Sequence, residues 1–152
     1  MNKVKINLPE SADYEVDYFA WTADQAKKLR AARPAGLDWE NVAEEIESLG
    51  RSDKRRIEGA MNVILVHLLK WAFQPQMRSA SWKGTIFEHR RRISKLVGES
   101  PSLRTYPAKV LAEEYEAARL NAAGKTSLPE DRFPIVCPFS VHQVLDQAFL
   151  PK

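Results

Sequence analysis

Little in this chain of 152 residues invites covalent chemistry. It has one cysteine, Cys137, which excludes an internal disulfide and a thiolate-based structural zinc site. No apolar run approaches the ~20 residues of a membrane-spanning helix. The longest, Val63 to Phe73, is broken by His67 and Lys70. The first thirty residues hold no apolar run followed by a small-residue cleavage site, so a cytoplasmic protein without membrane association is expected. Glycine-rich phosphate loops, Gly-x-Ser-x-Gly and kinase signatures are missing, and no cofactor is expected. Strand patterning is missing too, since Ile135-Val136 is too short and lies among prolines. With 44% apolar and 28% charged residues, the composition is that of a folded domain.

What is present is helical periodicity divided by proline. Proline removes a donor and clashes with the preceding turn, so Pro34, Pro75, Pro101 and Pro107 mark helix boundaries. A first helix is expected from Asp13 to Arg33, with Tyr14, Tyr18, Trp21, Gln25 and Leu29 on one face. A second is expected from the N-cap Asp38 to Gly50. Trp39, Val42, Ala43, Ile46 and Leu49 form its apolar stripe, with Glu40, Glu44 and Glu47 beside it. A third, from Ser52 or Asp53 to Phe73, reads as the buried central helix through Ile57, Met61, Ile64, Leu68 and Trp71. A loop, Gln74 to Ala80, leads to a fourth helix, Ser81 to Val97, with Trp82, Ile86, His89, Ile93 and Leu96 on one face. A fifth is expected from Pro107 to Ala123. Gly36, Gly50, Gly98 and Gly124 fall where C-terminal caps favour glycine. The proline-rich stretch Leu128 to Pro138 is expected to wrap the body, and Ser140 to Phe149 to close it as a short helix. The expected fold is one all-α domain over residues 1–152. It has five to six helices in an irregular bundle, a C-terminal wrapping segment and a flexible terminus at residues 1–12.

Charge is unevenly placed. Residues 1–50 carry a net −4, residues 51–95 a net +8 and residues 96–152 a net −1. Two consequences are open. The acidic stripe of the second helix can pair with the basic block, leaving only solvated charge. Alternatively Arg90, Arg91, Arg92 and Lys95 form an anion site, with Arg78 and Trp82 nearby as phosphate and stacking groups for a nucleic acid. An anionic protein partner fits the same block.

Catalytic constellations are thin. A carboxylate-bridged di-metal bundle needs Glu-x-x-His pairs, but Ile64, Ile86 and Phe139 stand three residues before His67, His89 and His142. No metal is expected, and a mixed site of Glu40, Glu44 and His67 is the remaining metal-enzyme alternative. Cys137, between Val136 and Pro138, reads as a buried anchor rather than a nucleophile paired with His142. His67 and His89 read as core histidines with one hydrogen bond each.

Several stretches taken in order carry a resemblance: YEVDYFAW at 14–21, LDWENVAEEIESLG at 37–50, HLLKW at 67–71 and SPSL at 100–103. Arg78, Trp82, Arg91, Tyr115 and the Phe133-Pro134 and Cys137-Pro138 pairs accompany them. In this order the chain resembles the bacterial family called domain of unknown function 29. The resemblance implies an all-helical fold and no established activity, substrate or catalytic residue. His89 stands where a glutamine is more typical of the family, which argues against an essential ligand there. Polar family-like positions suggest a buried network of Glu40, Glu44, His67 and Arg91 between helices. The expected function is a non-enzymatic interaction module, with a partner docked on a groove of Trp39, Trp71, Arg78 and Trp82. Such aromatic and arginine side chains are enriched at interface anchors.

Overall fold

The computed structural model describes residues 12–152, so residues 1–11 of the expected flexible terminus lie outside it. Among the described residues there are five α-helices and no strand. Helix α1 spans Tyr18–Ala32, α2 Trp39–Phe73, α3 Ala80–Glu99, α4 Tyr106–Thr126 and α5 Val141–Leu145. Each join tightens through a short 3-10 turn or a cap. Helix α1 starts later than the expected Asp13, because Asp17 caps it, accepting from the Ala20 amide at 2.9 Å. Asp17 also holds the Ser102 amide at 2.7 Å, tying the start of α1 to the turn after α3. Ser79, rather than Ser81, caps α3 through the Trp82 amide.

The largest departure from the expected boundaries is α2. The second and third expected helices are one helix of 35 residues, ~52 Å long at 1.5 Å per residue. Gly50 does not end it. Nothing between Pro34 and Pro75 removes a backbone donor, and Arg51 pairs back to Glu47 one turn earlier. Gly50 is glycine because α1 presses on it. A Cβ there would lie 2.8 Å from Thr22 Oγ1 and 3.0 Å from Phe19 Cδ2. Gly98 and Gly124 likewise lie inside helices, whereas Gly36 sits in the α1–α2 turn at a left-handed φ of 76°. The α1 C-cap is Arg33, itself left-handed, whose amide bonds the Leu29 carbonyl. Helix α4 runs three residues past Ala123, and α5 stops at Leu145 in place of Phe149.

The second half of α2 is the axis of the core. Ile57, Met61, Ile64, Leu65, Leu68 and Leu69 are fully buried there. Helices α3 and α4 pack on two of its sides and contribute Ile86, Ile93, Leu96, Tyr115, Ala118 and Ala122. The C-terminal segment closes the core with Phe133, Phe139 and Val144, as the wrapping expectation requires. Two arginines hold it by backbone carbonyls. Arg119 donates to Phe133 O at 3.0 Å and Glu130 O at 2.9 Å. Arg90 donates to Val144, Phe149 and Gln143 carbonyls at 2.7, 2.9 and 3.0 Å. Gln143 and Val144 lie in the last turn of α5, where carbonyls lack intrahelical donors and the dipole favours a cation. Tyr115 adds a bond from its hydroxyl to Pro134 O, and burial pushes its phenol up to about 12. Helix α1 packs along α2 and against the turn at Pro101–Leu103, with Phe19 at its base against the core. The two helices project from the body as a hairpin.

Candidate functional site

A concavity with a volume of about 650 Å³ runs between α2 and α3. Its floor is small and apolar: Gly59, Ala60 and Val63 from α2 and Leu96 from α3. Space above Gly59 is open, with no atom within 4 Å of where a Cβ would stand. The walls carry Arg56, Arg91, Arg92 and Lys95, with Glu88 and Glu99 between them. The spacing explains this assembly. Residues 56, 59, 60 and 63 lie at three- and four-residue steps on one face of α2, as do 88, 91, 92, 95 and 99 on α3. Glu88 serves two cations at once. Arg91 approaches it at 3.1 and 3.2 Å and Arg92 at 3.4 Å. The Arg91 hydrogen bond is the main reason the Glu88 carboxyl is held below its usual range. Lys95 is exposed and forms no ion pair among the described residues.

The expected anion set therefore divides. Arg91, Arg92 and Lys95 line the cleft, but Arg90 does not. It is 3% exposed, spends all three donor groups on the C-terminal segment, and its pKa is lowered by burial. The reason is periodic: Arg90 follows Ile86 by four and precedes Ile93 by three, a core-facing slot. The acidic stripe of α2 reaches the basic block only at its first residue, Arg51, and leaves the cleft cations uncovered. Glu44 and Glu47 pair with Arg51 and, at 3.6 and 3.2 Å, with Arg30 of α1.

The expected aromatic groove does not form as a set of four. Trp71, Arg78 and Trp82 do meet at the far end of α2. The Arg78 guanidinium lies 5.2 Å from the Trp71 ring centroid and donates to its carbonyl at 2.9 Å. The Lys70 ammonium lies 4.3 Å from the Trp82 ring. Trp39 opens the same helix, ~48 Å away along its axis, and stacks with Arg33 at 5.4 Å. Fusion of the two expected helices is what separates them.

The same length separates the expected polar network. Glu44 and His67 are ~35 Å apart along α2, and Arg91 is engaged with Glu88. Glu40 is exposed, with no ion pair among the described residues. The alternative metal site of Glu40, Glu44 and His67 loses its geometry with it. Among the described residues no three His, Cys, Asp or Glu side chains gather to hold a metal. His67 and His89 each use Nδ1 on the carbonyl four residues back, at 2.8 Å to Val63 and to Thr85. Burial holds His67 below its ordinary value, aided by Lys70, Lys125 and His89, so it is neutral near pH 7. The Cys137 thiol bonds Phe139 O at 3.3 Å and is raised by burial, a state that suppresses the thiolate a nucleophile needs.

Glu88 and Glu99 are cleft residues that the sequence reading passed over, and Arg56 entered it only as part of the basic block at 51–95. Their signal was a pair of matched three- and four-residue spacings, visible only once α2 and α3 are known to be neighbours.

The chain is thus an all-helical bundle protein with a cationic interhelical cleft. The family model of DUF29, a domain of unknown function, matches residues 14–150, and the chain belongs to that family. A crystallised alpha-helical protein of unknown function from Rhodospirillum rubrum superposes with a TM-score of 0.74. It is 24% identical, over 92% of this chain and 93% of that one, which shows a shared fold. No curated protein matches the chain. No described helix is long and apolar enough to cross a membrane.

Proposed function

We propose that this protein is a non-catalytic interaction module that docks an acidic segment of a partner protein in the α2–α3 cleft. The observation that carries the reading is the pairing of exposed cations, Arg56, Arg91, Arg92 and Lys95, with an apolar floor of Gly59, Ala60 and Val63. Carboxylates of a partner meet the walls, and small apolar side chains meet the floor. Charge of this kind governs association rate and partner choice more than affinity. A nucleic-acid backbone suits the cleft less well. No Trp, Tyr or Phe lines it for a base to stack on, and the one ring in its lining, His89, has Nδ1 on the Thr85 carbonyl.

The test uses two fluorescent probes, an amphipathic Glu/Leu peptide and a single-stranded oligonucleotide. Saturable peptide binding that falls at least ~10-fold in Arg92→Glu/Lys95→Glu supports the reading, a loss of about 1.4 kcal/mol. Oligonucleotide binding with a steep salt dependence, and none of the peptide, overturns it in favour of a nucleic acid.

A further inference from the structure

Beyond Val63 and His89 the two helix faces that line the cleft continue. On α2 the next positions at four- and three-residue steps are His67 and Lys70, and on α3, read backward, Thr85 and Trp82. The Lys70 ammonium lies 4.3 Å from the Trp82 ring centroid, so the helices are still side by side there. That ring holds a cation, not a base. Near the end of α4, Lys125 is exposed, and its charge bears on both His67 and Lys70. Two ammonium groups and two imidazoles from three helices thus converge. Neither lysine makes an ion pair among the described residues. Glu88, beside His89, is already held by Arg91 and Arg92. A half-buried ammonium without a counter-ion is costly, and an anion from outside offsets that cost.

The histidines are set for the same ligand. Each places Nδ1 on a backbone carbonyl at 2.8 Å, so Nδ1 carries the proton. Neither Nε2 has a hydrogen-bond partner among the described residues, and no unpartnered side-chain nitrogen there is buried, so both reach the surface. Lys70 on its own helix, Lys125 on α4 and His89 on α3 are the charged or titratable groups that bear on His67. An anion among them draws a proton from solvent onto His67 Nε2, while Nδ1 keeps its bond to Val63. A carboxylate brings one charge and two oxygens. A phosphoryl group brings about two charges and three acceptor oxygens, enough for both lysines and both rings.

We propose that Lys70, Lys125, His67 and His89 form an anion pocket that takes a phosphoryl dianion. A phosphorylated side chain on the segment docked in the cleft and a free phosphate both present that group. The first source rests on the reading above, and the pocket itself does not.

Inorganic phosphate, titrated into the full chain to about 10 mM at ionic strength held constant with sodium chloride, is expected to shift the ring resonances of His67 and His89. It is also expected to raise the pH at which His67 titrates. Lys70→Gln/Lys125→Gln, with unchanged helical circular dichroism, is expected to weaken phosphate binding at least ~10-fold. Lys125→Glu, at an exposed position, is expected to do the same alone. A phosphoserine version of the acidic peptide that binds at least ~10-fold tighter than its serine version, an advantage lost in the double variant, supports the pocket and assigns the docked segment as the source. Phosphate binding without that advantage supports the pocket and assigns free phosphate. If neither peptide binds while phosphate still shifts both rings, the docking reading fails and the pocket stands. Rings that phosphate leaves unmoved overturn the proposal, as does a double variant that binds phosphate as tightly as the parent.

Discussion

One helix, α2, passes through two environments, and its two halves differ in what their apolar residues meet. From Ile57 to Leu69 the stripe is fully buried, because α3, α4 and the C-terminal segment surround it. From Trp39 to Leu49 an equally regular stripe is only partly covered, with Ala43 buried, Trp39, Val42 and Ile46 half-buried and Leu49 exposed, because α1 is the helix that packs there. Periodicity decides which face of a helix is apolar. The number of neighbouring elements decides whether that face is covered.

That contrast is open to direct test, and the largest effects belong to the body. Leu65→Ala removes a fully buried side chain. It is expected to cost about 2–5 kcal/mol in urea unfolding, while Val42→Ala in the hairpin costs under about 1 kcal/mol in dilute protein. Equal costs would erase the distinction.

Arg90→Ala leaves three carbonyls without their donor. A loss of about 3 kcal/mol is expected, with hydrogen exchange speeding up first in α5 and around Phe149. Uniform exchange would mean that Arg90 does not hold that segment.

The glycines of α2 provide a matched pair. Gly50→Ala drives a methyl into Thr22 and Phe19 and is expected to cost about 1–3 kcal/mol. Gly59→Ala meets open space in a helix and is expected to add about 0.5–1 kcal/mol. It also shallows the cleft, so peptide binding should weaken as stability rises.

The smallest effect is a pH dependence. Burial lowers the folded pKa of His67 below its ordinary 6.5, so the unfolded chain takes up this proton first. The contribution of a neutral His67 is complete above pH 6.5. It is lost as the pH falls through that value, and levels off below the folded pKa. His67→Gln is expected to flatten that part of the stability–pH curve. An unchanged slope would locate the proton uptake elsewhere.

Much of the fold was readable in advance because it rests on local rules. Asp38 and Ser140 cap helices through the amides of Asn41 and Gln143, as a side-chain acceptor before an apolar stripe does anywhere. The stripe Ile57–Met61–Ile64–Leu68 is core, and the segment with Phe133 wraps it. Trp71, in the same expected stripe, is only half-buried because it lies in the last turn before the Pro75 bend. The candidate site was far less readable. Glu40, Glu44, Trp39 and His67 were grouped on the premise that a glycine at position 50 folds the chain back. Gly50 instead accommodates Phe19 and Thr22, and the helix runs on.

Sequence alone determined the helical class, the apolar faces, the caps at Asp38 and Ser140 and the excess of positive charge between residues 51 and 95, since each depends on neighbours within about four positions. Tertiary structure decided which cations are exposed and which are buried. Arg90 and Arg91 are adjacent in the chain, yet one fastens a buried segment and the other faces an open cleft. A helix turns 100° per residue, so neighbours in sequence face different surroundings. What those surroundings are depends on elements ~50 residues away, whose positions no local pattern encodes.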